Sequence, residues 1–295
     1  MSIEAVTPKN LELFLTYCRE HRQEIDDSNL YDEDLEVFLP NGENPAYLLR
    51  NPQGDVLGAA ALLLDDYHRR GKESRFRILH AKTQDLGHYR QLLDALIPHG
   101  AGLSNFFIFA YKKDPAYLEI LKALGFLPGS THYFLVYHPL CAKPPVLPPG
   151  FAFRPFQPQE DNALWAEIRN LAFTTYPSLT PESIASLYEG STYLPGGMQF
   201  LLEGETPVAV IRAGLDSFEE EPAVNIGPVA VLPSHQGRGL GKVLLRHILA
   251  FAREEGFTTA VLSVNGANDS AVKLYTHEGF REEAALIRCT LPLQP

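Results

Sequence analysis

"VLPSHQGRGLGKVLLRHILAFAREEGF", residues 231–257, decides how this chain is read. Gly237, Gly239 and Gly241 stand at alternate positions directly before a segment of helical periodicity. Its apolar side carries Val243, Leu244, His247, Ile248, Phe251 and Ala252. Glycine disfavours helix by roughly 1 kcal/mol against alanine, so three of them at a helix start require a reason. Either the turn is tight or something comes very close to the backbone. The preceding "NIGPVAVLP" (Asn225 to Pro233) reads as a strand. Strand, glycine turn and helix N-terminus together make an anion site. Unpaired backbone N–H groups point outward, and the helix dipole adds partial positive charge. The candidate anion-binding residues are Gln236, Gly237, Arg238, Gly239, Leu240, Gly241 and Lys242, with Arg238 and Lys242 able to add charge.

Three phosphate-binding patterns compete for this loop. The Walker pattern needs glycine five residues before the Gly-Lys pair and a hydroxyl after it, and Gln236 and Val243 stand there instead. The dinucleotide pattern needs glycine where Lys242 stands. The pattern that fits is Q/R-x-x-G-x-G, met by Gln236, Gly239 and Gly241. Downstream, "NDSAVKLYTHEGF" (Asn268 to Phe280) fits N-x-x-A-x-x-L-Y-x-x-x-G-F. With both motifs in this order and separation, the sequence resembles the GNAT superfamily of N-acyltransferases. The likeness covers nearly all of residues 150–295 and, more faintly, residues 1–140.

The resemblance implies that the glycine loop holds the diphosphate of acetyl-CoA as co-substrate. It implies that backbone groups of Val229, Ala230 and Val231 pair with the pantetheine arm, and that one N–H polarises the thioester carbonyl. Asn268 and Tyr275 are seven residues apart, which returns to one helix face about 10 Å along the axis. That face can follow an extended cofactor arm. The family's usual general acid falls on Tyr275, and a phenol with a pKa of about 10 is still protonated at neutral pH. Each residue also has a plainer role open to it: Asn268 as a helix cap, Tyr275 as core packing with its hydroxyl tied to backbone.

The base is missing from its usual place. Neutralising an alkyl-ammonium at pH 7 requires about 4–5 kcal/mol. Many family members carry Glu four residues before the backbone-binding triplet, where this chain has Asn225. A water chain, Glu221 or a group from elsewhere in the chain is open as a substitute, although "SFEEEPA" (Ser217 to Ala223) reads more readily as a solvated hairpin loop, and the base is left unassigned. His235 reads as a turn histidine and His247 as a packed one, and no histidines stand at metal-ligand spacing, so no metal is expected.

The rest of the chain sets the frame. "YHPLCAKPPVLPPGFAFRPF" (Tyr137 to Phe156) is too rich in proline for helix or central strand and reads as a linker. The expected domains are 1–140, a linker at 141–149, and 150–295. The flanking halves share a plan. "SIEAVTPKNLELFLTYCREH" matches "AFRPFQPQEDNALWAEIRNLAF" as strand, turn and helix. "AYLLRNPQGDVLGAAALLL" matches "MQFLLEGETPVAVIRAGL" as a hairpin. "FFIFAYKKDPAYLEILKALGF" matches "AVLSVNGANDSAVKLYTHEGF" as strand, loop, helix and Gly-Phe. The first copy has Asp85 opposite Gly239, Lys82 opposite Gln236 and Leu121 opposite Tyr275, so its cofactor site reads as lost.

The expected fold is therefore α/β (α+β): two tandem GNAT-like domains, each a mixed, mostly antiparallel sheet flanked by helices. Composition agrees, with 45% hydrophobic and 21% charged residues among 295, enough for a full core. A net charge of -11 disfavours nucleic acid as a partner. Three widely spaced cysteines point to a reducing compartment, and with no secretion signal or membrane-length apolar run the expectation is cytoplasmic. The implied activity is acetyl transfer to a primary amine, on a small molecule or a peptide, by direct attack in a ternary complex. An acyl-CoA sensor without turnover, or a scaffold, is the alternative. Loops such as "TTYPSLTPESIASLYEGSTYLPGG" (Thr174 to Gly197) are expected to wall the acceptor pocket.

Overall fold

The computed structural model describes residues 1–141 and 143–293. Ala142 of the expected linker, and residues 294 and 295 at the end of the expected second domain, lie outside the described residues. Two compact units form, Met1–His132 with the chain from Ala285 onward, and Tyr133–Ala284.

The first unit contains β1 (Ser2–Ala5), α1 (Leu11–His21), α2 (Asp32–Glu36), β2 (Ala46–Arg50), β3 (Val56–Leu63), α3 (Asp66–Arg70), β4 (Glu73–Ala81), α4 (Leu86–Leu96), β5 (Asn105–Tyr111) and α5 (Pro115–Ala123). Its sheet runs in the order β1-β2-β3-β4-β5, antiparallel except for the β4–β5 pair. The unbroken apolar run of β3 reflects burial on both faces, because successive strand residues point to opposite sides. Ala59 and Ala61 join Phe14, Tyr17 and Cys18 of α1 on one side. Ala60 and Leu62 join Leu92, Leu93 and Leu121 of α4 and α5 on the other. The sixth strand comes from the far end of the chain: Leu286–Pro292 pair with Tyr111–Asn105 of β5, and Cys289 and Leu291 are buried there.

Strand β6 (Leu127–Tyr137) precedes the second unit's own β7 (Phe151–Pro155), α6 (Asn162–Ala172), α7 (Pro181–Glu189), β8 (Met198–Glu203), β9 (Thr206–Phe218), β10 (Glu221–Val231), α8 (Leu240–Glu254), β11 (Ala260–Asn265) and α9 (Asp269–Glu278), and β12 (Arg281–Pro292) ends the fold. Its strands follow the order β6-β11-β10-β9-β8-β7. Trp165, Ile184, Phe200, Val210 and Ala230 pack beneath α6 and α7, while Leu244, Ile248 and Tyr275 of α8 and α9 cover Leu201, Ala209, Ile211 and Val224 on the opposite face. The mixed, mostly antiparallel sheets and their helices agree with the sequence expectation. Among the described residues, no helix is long and apolar enough to cross a membrane.

One expectation needs correction. The stretch Thr174–Gly197 is not all loop, because α7 occupies its middle. Thr180 accepts from Ser183 N–H at 3.2 Å, the Ser183 hydroxyl accepts from Thr180 N–H at 3.4 Å, and Pro181 fills the first helical position. That capping box and proline are a local helix start outweighed in the sequence reading by the flanking glycines and tyrosines.

Candidate functional site

The site begins where two strands part. Strand β10 pairs in parallel with β11 only at Val224↔Ala260 and Asn225↔Val261, although β10 continues to Val231 and β11 to Asn265. The register of β10 against β9 shifts between Ile226 and Val229, and Pro228, which has no N–H to give, sits within that irregularity. Beyond it β10 keeps β9 and leaves its other edge open. Leu232 N–H donates to Val208 O on the β9 side at 2.9 Å. Polar groups alternate along a strand, so Val229 and Val231 turn theirs to the open edge and Ala230 turns its own toward β9. The side chain of Ala230 is buried in the core. Gln236 Nε2 donates to Val231 O at 3.0 Å, tying the loop to the strand it follows.

Two of the three glycines now have a reason. Gly237 and Gly239 both adopt φ +76°, a left-handed conformation that side chains resist, and a Cβ on either would meet no atom within 4 Å. Their outer face is open. Gly241 is ordinary in φ, and a Cβ there would meet Leu274 of α9 at 3.4 Å, an ordinary packing distance, so neither backbone nor space demands glycine at this position. Among the described residues, nothing accepts from the N–H groups of Gly237, Arg238, Gly239, Leu240 or Gly241, and Gly239 caps α8 without a side-chain bond. Lys242, also expected in the binding loop, spends its N–H on Gly239 O at 3.1 Å, so five successive donors at the positive end of a 15-residue helix form the cradle for an anion.

The cations flanking the cradle are engaged elsewhere. Arg238 Nη2 lies 2.7 Å from Glu203 Oε1, and its guanidinium lies over the Phe151 ring at 5.3 Å. His235 Nε2 meets the same carboxylate at 3.0 Å. Lys242 Nζ is 3.6 Å from Glu278, which is buried and also binds Arg246 at 2.7 and 3.0 Å. These pairs hold the loop and helices, leaving backbone donors as the free electropositive groups of the loop.

Helix α9 presents the other two expected residues. Asn268 caps it, accepting from Ala271 N–H at 3.2 Å and from the Ser270 hydroxyl at 3.0 Å, both through Oδ1, and its amide Nδ2 bonds to none of the described residues. The Tyr275 ring is buried against Phe280, and among the described residues its hydroxyl has no hydrogen-bond partner. Burial pushes its pKa up to about 12, because the phenolate would be stranded in apolar surroundings. Tyr275 is thus a phenol held protonated with an unspent hydrogen bond.

Two residues the sequence reading did not single out lie on the opposite face. Asn225 donates through Nδ2 to Asp216 Oδ2 at 2.8 Å, so a carboxylate stands beside the position where a base is expected. The buried Arg212 reaches Thr192 O and Oγ1 at 3.1 and 3.0 Å, and Gly214 leaves the room its guanidinium fills. A two-residue turn at Glu219 and Glu220, both at positive φ, sets this register, and reading it from the sequence would have paired Asn225 with Gly214. His247 stacks on Phe153 at 3.5 Å as a packing residue. A recess of about 500 Å³ lined by His138, Glu221 and Thr259 lies at the far end of β10 from the glycine loop.

Comparison with known proteins agrees with this geometry. Residues 165–280 match the acetyltransferase (GNAT) family. The chain is similar to mycothiol acetyltransferase of Streptomyces griseus, 34% identical over 145 residues, which is 48% of this chain and 47% of that protein. It is similar to the Streptomyces coelicolor mycothiol acetyltransferase, 30% identical over 212 residues, 69% of this chain and 66% of that one. The chain spans about half the length of the first curated relatives it matches. Among solved structures, a tandem GNAT protein from the clavulanic acid biosynthesis pathway aligns with TM-score 0.74 at 14% identity, covering 100% of this chain and 99% of that one. A GCN5-related N-acetyltransferase from Sphaerobacter thermophilus aligns with TM-score 0.72 at 18% identity, covering 100% and 96%. Cradle, parted strands and matched residues together place the chain in the GNAT acetyltransferase family, as a tandem-domain member.

Proposed function

We propose that the second unit binds acetyl-CoA and transfers its acetyl group directly to a primary amine. The observation that carries this reading is the run of five unpartnered N–H groups from Gly237 to Gly241 under an open glycine face. A diphosphate satisfies such donors without needing the side chains already paired to Glu203 and Glu278. The first unit supplies the contrast. There Asp85 caps α4 and accepts from Gly87 N–H at 2.7 Å, so a carboxylate takes one of the donors that an anion would need and sets a negative charge beside the rest. We assign one cofactor site to the chain, in the second unit.

Acetyl-CoA supplies the activated acyl group. Val229 and Val231 offer backbone donors and acceptors along the open edge, and Asn268 Nδ2 offers a further donor. Tyr275 gives its proton to the departing thiolate, a role suited to a phenol held in its neutral form. Asp216 holds the acceptor's ammonium group and passes its proton to solvent, standing in for the carboxylate that Asn225 replaces. The similarity to mycothiol acetyltransferases supports a small-molecule acceptor, and the family supports the acyl donor.

A second reading, an acyl-CoA sensor without turnover, rests on Asn225 in the usual base position. One assay separates the two: release of free CoA over a panel of amines. The enzyme reading expects turnover with at least one amine. Tyr275→Phe should lower kcat by about 10²–10³-fold with acetyl-CoA affinity retained, and Asp216→Asn should raise the amine KM. Acetyl-CoA binding with no CoA release on any amine would replace this reading with the sensor.

A further inference from the structure

The sequence offers no histidines at ligand spacing, yet folding of the first unit gathers three ligand-bearing side chains. His21 ends α1, Glu24 lies in the turn that follows, and His80 stands on β4. One nitrogen from each imidazole and one carboxylate oxygen all lie within 4.8 Å of one another. His21 Nδ1 is 2.7 Å from Glu24 Oε1, and His80 Nε2 is 3.3 Å from Glu24 Oε2. The two imidazole rings are 5.0 Å apart.

The protonation of His80 is tied to its other neighbour. The Tyr17 hydroxyl lies 2.9 Å from His80 Nδ1 and 3.4 Å from Leu57 O. The single hydroxyl proton serves either Nδ1 or Leu57 O. With His80 protonated at Nδ1 and Tyr17 donating to Leu57 O, Nε2 presents a lone pair toward Glu24 Oε2, the arrangement in which both can ligate one cation. His21 Nε2 is buried and, among the described residues, has no partner.

We propose that His21, Glu24 and His80 bind a divalent first-row transition cation of the zinc class. Two imidazoles and one carboxylate form a known three-ligand set for such ions, with remaining positions open to water. The adjoining cavity, about 180 Å³ and lined also by Lys82, Thr83, Asp114 and Tyr117, has room for that water. Metal–ligand bonds of about 2.0–2.1 Å in a tetrahedron put donors about 3.3 Å apart. The ligand set therefore has to contract. Glu24 can swing to do so, because its side chain is 57% exposed. Tyr17 acts as a positioning residue, fixing the ring and tautomer of His80 from behind. Lys82 also lines the cavity, and its ammonium lies over the Tyr17 ring, 5.6 Å from the centroid. The site occupies the first unit's own parting of strands. The β4–β5 ladder runs only from Glu73↔Asn105 to Arg75↔Phe107, while β4 continues to Ala81.

The test uses the full chain carrying Cys141→Ser, which removes the exposed thiol as a competing ligand, after stripping with a chelator. Calorimetric titration with zinc chloride should give one ion per chain. Glu24→Gln and His21→Gln should each weaken binding at least about ten-fold, and Tyr17→Phe by about ten-fold, with circular dichroism unchanged. Cobalt(II) should give a visible ligand-field spectrum without a thiolate charge-transfer band. Absence of zinc binding, zinc affinity that survives Glu24→Gln and His21→Gln, or a thiolate band with cobalt would each overturn the proposal.

Discussion

At the scale of single residues, the account turns on groups whose polar capacity the protein leaves unspent. Tyr275 is the clearest case, a buried ring with a hydroxyl that bonds to none of the described residues. Its pKa, raised to about 12 by burial, gives a direct expectation for the pH profile. The donor is the protonated form, which persists below the pKa. Ionisation of Tyr275 should therefore leave kcat flat through the range where an ordinary tyrosine, with pKa about 10, would titrate. A loss of kcat on an apparent pKa near 10 that disappears in Tyr275→Phe would contradict the placement of this phenol. Asn268 shows why residue roles read from sequence need not compete. Its Oδ1 caps α9 while its Nδ2 remains available, so the cap and the cofactor contact use different atoms. Arg238 and Lys242 show the opposite. Their side chains are committed to Glu203 and Glu278, partners more than thirty residues away in sequence and invisible to a local motif.

At the scale of elements, the glycine loop and α9 were legible because each is a short-range pattern, with a turn, a cap and a helical repeat confined to a dozen residues. The start of α7 was equally local, yet Thr180, Pro181 and Ser183 were lost among residues typical of loops. The pairing of Asp216 with Asn225 depends on hairpin register, and the gathering of His21, Glu24 and His80 on tertiary packing, which no spacing announces. The junction of α8 and α9 is also tertiary. Glu278 is buried, accepts two bonds from Arg246 and pairs with Lys242. Burial alone would raise its pKa, but the Arg246 hydrogen bond and the charges of Arg246, Lys143 and Lys242 bring it below the usual carboxylate range. Its stabilising effect is therefore complete above the unfolded value of about 4.3 and fades as pH falls through the lower folded value. Glu278→Gln should destabilise the chain by about 2 kcal/mol at neutral pH, less than a fully buried pair because both cations reach solvent. The difference from wild type should shrink at acid pH. Thermal unfolding at pH 7 and pH 3 checks this, and an equal difference at both would refute it.

At the scale of the whole molecule, the duplicated plan was legible as paired strings of sequence, but the way each unit is completed was not. The first unit's sheet takes its sixth strand from Leu286–Pro292, burying Cys289 and Leu291 in a core whose other members end near Phe126. The halves resemble each other element by element, so nothing local distinguishes a strand returning to its own sheet from one completing the other. A fragment of residues 1–140 should accordingly lack a cooperative thermal transition, and adding a peptide of residues 285–293 should restore one. A sharp transition in the fragment alone would show that the C-terminal strand is dispensable. Divergence between the copies also belongs to this scale. Asp85 takes one donor of α4 and sets a negative charge beside the rest, whereas Gly239 leaves those of α8 open.

That difference locates the most direct measurement, calorimetric titration of the full chain with acetyl-CoA, repeated on Gly239→Asp. Aspartate tolerates a left-handed backbone better than most residues, so the variant tests charge and access at the cradle more than folding. The account predicts one acetyl-CoA per chain and at least about ten-fold weaker binding in the variant, since one such lost charge-assisted contact is worth about 1.5–3 kcal/mol. No heat and no thermal stabilisation at millimolar acetyl-CoA, or binding unchanged by Gly239→Asp, would contradict it.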